Sequence, residues 1–290
     1  MNRRHFLVTS LAAVPLSMKG WACMLDPQDL AFLVIGDWGA GGSIQKRVAD
    51  SMVRVAAQTK ASFVVSTGDN IYPDGVTSDA DPQWKTKYER VYDKLALPWW
   101  SVLGNHDHRG NPDAQISYAK RNPRWNMPGR TWRHDIQRGS GEVLSILGLD
   151  TTPMMQGAES WRKQLEWLDT SLTSMPASIS IVVGHHPMRS YGHYGDSSLL
   201  VKNLKPLLDK HRVRLYMCGH DHDMQLVRNP DDQFSCLVSG AGGGSRPTRM
   251  GAHSKIAYTN GGFACVRVGG SELSVELFDS GGTSKGRFTL

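Results

Sequence analysis

Leu30-Ala31-Phe32-Leu33-Val34-Ile35-Gly36-Asp37-Trp38-Gly39 is the stretch that decides how this chain folds. Its apolar run has the length of a buried strand and breaks at Gly36 into a carboxylate, so a reactive side chain stands where a strand ends and a loop begins. Just beyond, Ser43 is expected to cap an amphipathic helix with Val48, Met52, Val55 and Ala56 on one face, and an apolar run at 62–67 completes a βαβ unit. A parallel sheet follows from that unit. The same strand ending recurs downstream: Asp69 in Gly68-Asp69-Asn70-Ile71-Tyr72, Asn105 in Gly104-Asn105-His106-Asp107, His185 in Val182-Val183-Gly184-His185, and His220 with His222 in Gly219-His220-Asp221-His222. Open α/β sheets place ligand sites at such ends. Two carboxylates, an amide oxygen, three imidazoles and the Tyr72 phenol offer oxygen and nitrogen donors without thiolate. That set suits trivalent iron beside a divalent metal better than a structural zinc.

The rest of the pattern fills in the layers. A helix near 83–95 leads to a strand at 99–103, and strand-like Trp132–Ile136 and Glu142–Leu149 form a hairpin across Gly139-Ser140-Gly141. Ser160 is expected to cap a helix carrying Trp161, Leu165 and Leu168, followed by a strand at 179–183, a helix at 197–210 and a strand at 213–218. The segments 223–228, 235–239, 262–268 and 272–278 alternate like antiparallel strands. The economical arrangement is an α/β fold: a four-layer α/β/β/α sandwich of two mixed sheets packed face to face and flanked by helices, in one domain over 28–290. No internal repeat or low-complexity linker interrupts it.

Composition narrows the class. With 290 residues and 40% hydrophobic content, the chain can bury a large core. The net charge of +6 owes half its value to Arg3, Arg4 and Lys19; without residues 1–22 the balance is 30 basic to 27 acidic residues, too even to indicate a polyanion partner. Met1-Asn2-Arg3-Arg4-His5-Phe6-Leu7 opens an apolar stretch ending at Met18, about half of what a bilayer span needs, so it reads as an export signal and not an anchor. Its Arg-Arg-x-Phe-Leu pattern resembles a twin-arginine signal, with cleavage after Ala22 and a periplasmic destination; an ordinary secretory signal is the alternative. Cys23 raises lipidation, although Trp21 makes a poor lipobox. Cys218 reads as a buried apolar residue, whereas Cys236 and Cys265 could pair if their strands are neighbours.

Taken together and in order, the five blocks resemble the calcineurin-like metallophosphoesterases. Tyr72, three residues after Asp69, narrows the resemblance to the purple acid phosphatases, and Val182-x-x-His185-x-Pro187, Leu215 to His222, Arg124-Trp125-Asn126-Met127-Pro128, Gln164 to Leu168 and Leu237 to Gly242 to their small, tartrate-resistant type. The resemblance implies an acid phosphatase that hydrolyses phosphate monoesters by attack of a metal-held hydroxide, with no phosphoenzyme. It assigns Asp37, Asp69, Tyr72 and His222 to Fe(III), and Asp69 as the bridge to a divalent Fe, Zn or Mn completed by Asn105, His185 and His220. His106 and His193 are implied as catalytic and substrate-contacting residues, with Asn105 also touching substrate. This chain departs from the mammalian pattern here: the gap from His185 to His193 is one residue shorter, and His186 takes the place of an aromatic residue.

Other features have plainer readings. The run Gly240 to Gly244 lacks the lysine and helix of a P-loop and reads as a tight turn beside the site. Basic, aromatic Tyr118 to Arg133 could stack bases, but its match to a family loop favours cleft rim or core packing. His5, His108, His134, His211 and His253 carry no motif. Expected partners are small phosphorylated molecules or phosphoproteins, with no nucleic acid and no stable membrane insertion, and oligomeric state is unreadable. A phosphodiesterase or nuclease of the same superfamily, or an inactive phosphate-binding relative, are the alternatives.

Overall fold

A computed structural model describes residues 29–139, 141–174 and 176–290; the expected leader and Cys23 lie outside them. The first sheet contains β1 (Asp29–Ile35), β2 (Val64–Ser66), β3 (Trp99–Ser101) and β4 (Trp125–Asn126), which run parallel to one another. The second contains β5 (Trp132–Gln137), β6 (Val143–Gly148), β7 (Ile179–Val183), β8 (Leu215–Cys218), β9 (Met224–Val227), β10 (Ser235–Ser239) and β11 (Ser254–Tyr258), in the order β11-β9-β10-β8-β7-β6-β5. The chain then returns to the first sheet with β12 (Gly262–Gly269), β13 (Glu272–Asp279) and β14 (Ser284–Thr289), giving β14-β13-β12-β1-β2-β3-β4. Both sheets are mixed: β12 lies antiparallel to β1, while β6, β7, β8 and β10 run parallel and β5, β9 and β11 antiparallel to their neighbours.

Burial sorts these strands into four layers. Phe32 and Val34 of β1 pack inward with Ile181, Val183, Leu215 and Met217 of the facing sheet. Leu33 and Ile35, pointing the other way, meet Val48, Met52 and Val55 of the helix Ser43–Thr59. On the far side, Val182, Tyr216 and Val238 pack on Leu168, Leu200 and Leu208 of the outer helices. A strand covered on both faces has no polar side to display, which is why β1 reads as an uninterrupted apolar run. Under the first strand end, Trp38 meets Trp99 and Tyr92 edge-on, with ring centroids 5.2 and 5.4 Å apart.

Several expectations need correction. Ser43 is the first helical residue and not the cap: Gly42 holds the cap position without a side-chain bond, and the Gln45 side chain instead accepts from the Gly41 N–H at 2.7 Å. The helix near 83–95 is a π-helical turn at Trp84–Glu89 continued by short α and 3₁₀ pieces. The helix expected over 197–210 is two, Ser198–Asn203 and Lys205–Lys210, because Pro206 cannot donate into a continuing helix. Strand β10 pairs antiparallel with β9 as expected, yet parallel with β8. Cys236 and Cys265 do not pair: both are free and buried, one among the outer residues of the second sheet and the other among those of the first.

Among the described residues no helix is long and apolar enough to cross a membrane. Basic, aromatic Tyr118 to Arg133 is core and rim: Tyr118, Trp125 and Trp132 are buried, while Arg121, Arg124, Arg130 and Arg133 pair with aspartates.

Candidate metal centre

Each site residue follows a strand. Asp37, Asp69 and Asn105 come after β1, β2 and β3 of one sheet, and His185 and the His220–His222 block after β7 and β8 of the other, so parallel neighbours deliver their ends to one edge of the sandwich. The turns that present them are sharp. Asp37, Asp69, His220 and His222 take φ values of 56°, 50°, 70° and 54°, a left-handed conformation costing of order 1–3 kcal/mol for a residue other than glycine. The glycines in front of the ligands permit close approach: a Cβ on Gly104 would stand 2.2 Å from Asp69 Oδ1, and one on Gly219 2.3 Å from Asp37 Oδ2.

Two groups of donors form. Around the Tyr72 hydroxyl, Asp37 Oδ1 lies at 2.9 Å, Asp69 Oδ2 at 2.8 Å and His222 Nε2 at 2.9 Å. Around His185 Nε2, Asn105 Oδ1 and His220 Nδ1 lie at 3.1 Å and Asp69 Oδ2 at 3.5 Å. One Asp69 oxygen therefore belongs to both groups. The second oxygens of the aspartates are tied back by main chain, Asp37 Oδ2 accepting from the His220 N–H and Asp69 Oδ1 from the His106 N–H, each at 2.8 Å. His185 Nδ1 lies 3.0 Å from the Thr67 carbonyl; a proton donated there fixes the ring's orientation and turns Nε2 toward the group.

The charges explain what such an arrangement wants. Burial, and then Asp37 and Asp69, push the Tyr72 phenol far above its ordinary range. Burial also works against a charged Asp69, but His185 and His106 outweigh it and hold the carboxyl low. His185 is raised to about 10, desolvation being outweighed by Asp69, while burial and then the charge on His185 push His220 down to about 2. Two nearly inaccessible carboxylates and a phenol thus converge on one point, with neighbouring histidines as their compensation. Cations seated among these oxygens and lone pairs would reverse the balance, and the donor set fits them.

The flanking histidines divide. His106 packs its ring at a tilt of 51° against Tyr72, centroids 4.5 Å apart, with Nδ1 against the Pro73 carbonyl. His193 is exposed, its ring edge-on to Tyr194 at 4.7 Å, and it is Tyr194 that stacks on His220 at 4.2 Å. His186 is buried beside His185 and His220 and joined to the Thr151 hydroxyl at 2.8 Å; burial foremost holds it well below the usual imidazole range. The glycine run is a turn beside the site, with Gly243 N–H donating to the Asp37 carbonyl at 2.8 Å. A cleft of about 300 Å³ opens along Asp37, Tyr72, Pro73, Lys87, His222 and Gly244.

Sequence reading missed three residues. Asp107 is buried under the loops of Asp69 and Asn105 and accepts from the N–H groups of Gly104, Asn70 and Ile71. Its place inside the Asn105 block was the available signal. Tyr194 and Arg246, at the rim over His220, carry no motif and become visible only when distant loops meet.

The Calcineurin-like phosphoesterase family model matches residues 30–224. The chain is 36% identical to purple acid phosphatase 17 of Arabidopsis thaliana, covering 86% of this chain and 81% of that protein. It is 30% identical to tartrate-resistant acid phosphatase type 5 of Rattus norvegicus, covering 90% of each. Among solved structures, GAP50, described as the anchor in the inner membrane complex of Plasmodium, superposes with a TM-score of 0.80 at 26% identity over 91% of this chain and 89% of that one. The purple acid phosphatase PPD1 of yellow lupin gives 0.69 at 15% identity, over 90% of this chain and 53% of that one.

Proposed function

Because the chain belongs to the calcineurin-like phosphoesterases and, within them, to the purple acid phosphatases, we propose that it is a binuclear-metal acid phosphatase hydrolysing phosphate monoesters. The observation that carries the binuclear reading is Asp69 Oδ2, which lies 2.8 Å from the Tyr72 hydroxyl and 3.5 Å from His185 Nε2 and so faces both donor groups. Asp37, Asp69, Tyr72 and His222 would hold Fe(III); Asp69, Asn105, His185 and His220 would hold divalent Fe, Zn or Mn. When bound, such a pair acidifies a water and offsets charge on the phosphoryl oxygens.

The chain's own groups do the rest. The N–H groups of His220 and His106 keep each carboxylate turned so that one oxygen faces the centre. Asn105 offers an amide to a phosphoryl oxygen. His106, its Nδ1 bound to a carbonyl, has Nε2 left to pass a proton to the departing oxygen. His193 would meet substrate from the rim. Small phosphorylated molecules or phosphoproteins are the substrates this open cleft admits, and export to a bacterial periplasm rests on the Arg3-Arg4-x-Phe6-Leu7 pattern.

A phosphate-binding relative without turnover has one observation in its favour, the anchor role given for the Plasmodium chain. Metal content, a visible spectrum, and rates on phenyl phosphate and bis(p-nitrophenyl) phosphate separate the readings. Two metals with monoester turnover are expected. Faster diester cleavage would favour a phosphodiesterase, and a loaded protein that turns over neither substrate would sink the enzymatic reading.

A further inference from the structure

Arg246 occupies an unusual place for a cation. Its main-chain N–H donates to the His222 carbonyl at 2.8 Å, which fastens it to the block that carries two proposed ligands. Its Nη1 lies 3.3 Å from both the His220 carbonyl and the Tyr194 hydroxyl, and its guanidinium carbon 5.5 Å from the centre of the Tyr194 ring. That ring is 51% exposed and stacks on His220 at an interplanar angle of 22°. Arg189 and Arg130 each pair with two aspartates. Arg246 has no ion pair among the described residues, and Nε and Nη2 have no protein acceptor there. An arginine cannot shed its charge. Beside a centre built to collect cations it adds repulsion until an anion arrives, and its planar fork matches phosphate oxygens.

Its position says which anion. Arg246 bonds to the back of His220 and to Tyr194, and to none of the side-chain donors that converge on Asp69. The Tyr194 it touches is 51% exposed, which sets the guanidinium toward the rim of the site. Resting on the phosphatase reading above, we propose that Arg246, steadied by Tyr194, forms a subsite for a second anionic group on the leaving-group side, selecting phosphoanhydrides whose leaving group is itself a phosphate. In pyrophosphate hydrolysis the oxygen of water attacks one phosphorus, the bond to the bridging oxygen breaks, and that oxygen departs on the second phosphate with a proton from the water. Arg246 would hold the departing phosphate.

The test compares metal-loaded wild type with Arg246→Gln, Arg246→Lys and, as a charge control, Arg249→Gln, an exposed arginine on the same loop. Inorganic pyrophosphate and phenyl phosphate are the substrates, and calorimetric binding of imidodiphosphate and of orthophosphate is measured in parallel with metal content. In Arg246→Gln, kcat/KM should fall about tenfold or more further for pyrophosphate than for phenyl phosphate, chiefly through KM, with imidodiphosphate binding weakened in step. Arg246→Lys should lose less and Arg249→Gln should keep the ratio. Equal loss on both substrates would place the guanidinium on the transferred phosphoryl group, and an unchanged ratio with unchanged imidodiphosphate binding would reduce it to a brace for His220; either result overturns the subsite. If wild type binds imidodiphosphate through Arg246 but splits neither substrate, the subsite stands and the phosphatase reading falls.

Discussion

Replacing Asp107 by alanine would cut the tie between the loops of Asp69 and Asn105 without touching either residue. The carboxylate accepts from Gly104 N–H at 2.8 Å, Asn70 N–H at 3.1 Å, Ile71 N–H at 3.2 Å and Gln115 Nε2 at 2.6 Å. Alanine leaves three main-chain donors without an acceptor in a region closed to solvent, each costing about 1–3 kcal/mol. Water entering the vacated volume would recover part of that, so about 3–5 kcal/mol is expected, against a total stability of roughly 5–15 kcal/mol for a typical domain. A competing effect must be weighed. Burial first, and the neighbouring Asp69 charge second, push the Asp107 carboxyl upward, so its charge is itself costly there. Asp107→Asn removes that charge but turns an NH2 toward N–H donors whichever way the amide faces, and the lost acceptor should win by about 1–3 kcal/mol. Urea titrations of both variants, with circular dichroism and metal content, measure these losses. Asp107→Asn as stable as wild type, or Asp107→Ala within about 1 kcal/mol of it, would refute the acceptor argument.

Three further outcomes follow from the site. The oxidised protein is expected to be purple or pink, and Tyr72→Phe should bleach it and keep much of the activity, because the phenol lies against Asp37, Asp69 and His222 and is assigned no attack on phosphorus; an unchanged visible band would remove it from the proposed iron site. Asp69→Ala should empty both metal positions, whereas Asn105→Ala should loosen the divalent ion first, and equal losses by elemental analysis would count against the shared carboxylate. His106→Ala should slow glycerol phosphate far more than p-nitrophenyl phosphate, by up to the 10² to 10⁴-fold typical of general acid catalysis, since a stable phenolate needs little protonation. A uniform loss on both esters would point instead to phosphate positioning.

Much of this could be read from residues alone, for identifiable reasons. The run Phe32 to Ile35 was legible because both of its faces are buried, and the five blocks because each sets a metal-binding oxygen or nitrogen donor directly after a glycine at a strand end. Strand β14 was missed because Ser284–Thr289 lies at a sheet edge and is largely exposed, and β4 because two residues carry no period. The break before Pro206 was written in the sequence and overlooked. Whether Cys236 and Cys265 pair was open in the sequence, because strand-like segments carry no mark of the sheet they join: β10 holds Cys236 in the second sheet and β12 holds Cys265 in the first. Tyr194 and Arg246 have no local signature, since their role arises from the meeting of loops after β7 and β10.

The proposed ligands are shared between the sheets in a way that bears on how the chain would come to hold metal. Asp37, Asp69, Tyr72 and Asn105 follow strands of the first sheet, and His185, His220 and His222 strands of the second. Neither sheet owns a complete set, for the Tyr72 group borrows His222 and the His185 group borrows Asp69 and Asn105. Ion capture is therefore a late event in assembly, open only to a chain whose layers have already closed on each other after long-range pairing that is intrinsically slow. An ion seated between these donors would act as a clasp across the interface, its binding free energy adding to the cohesion of the whole sandwich and not of one loop. Chelation should accordingly ease the layers apart, and a fragment that stops before β7 should be blind to iron however well its own strands pair.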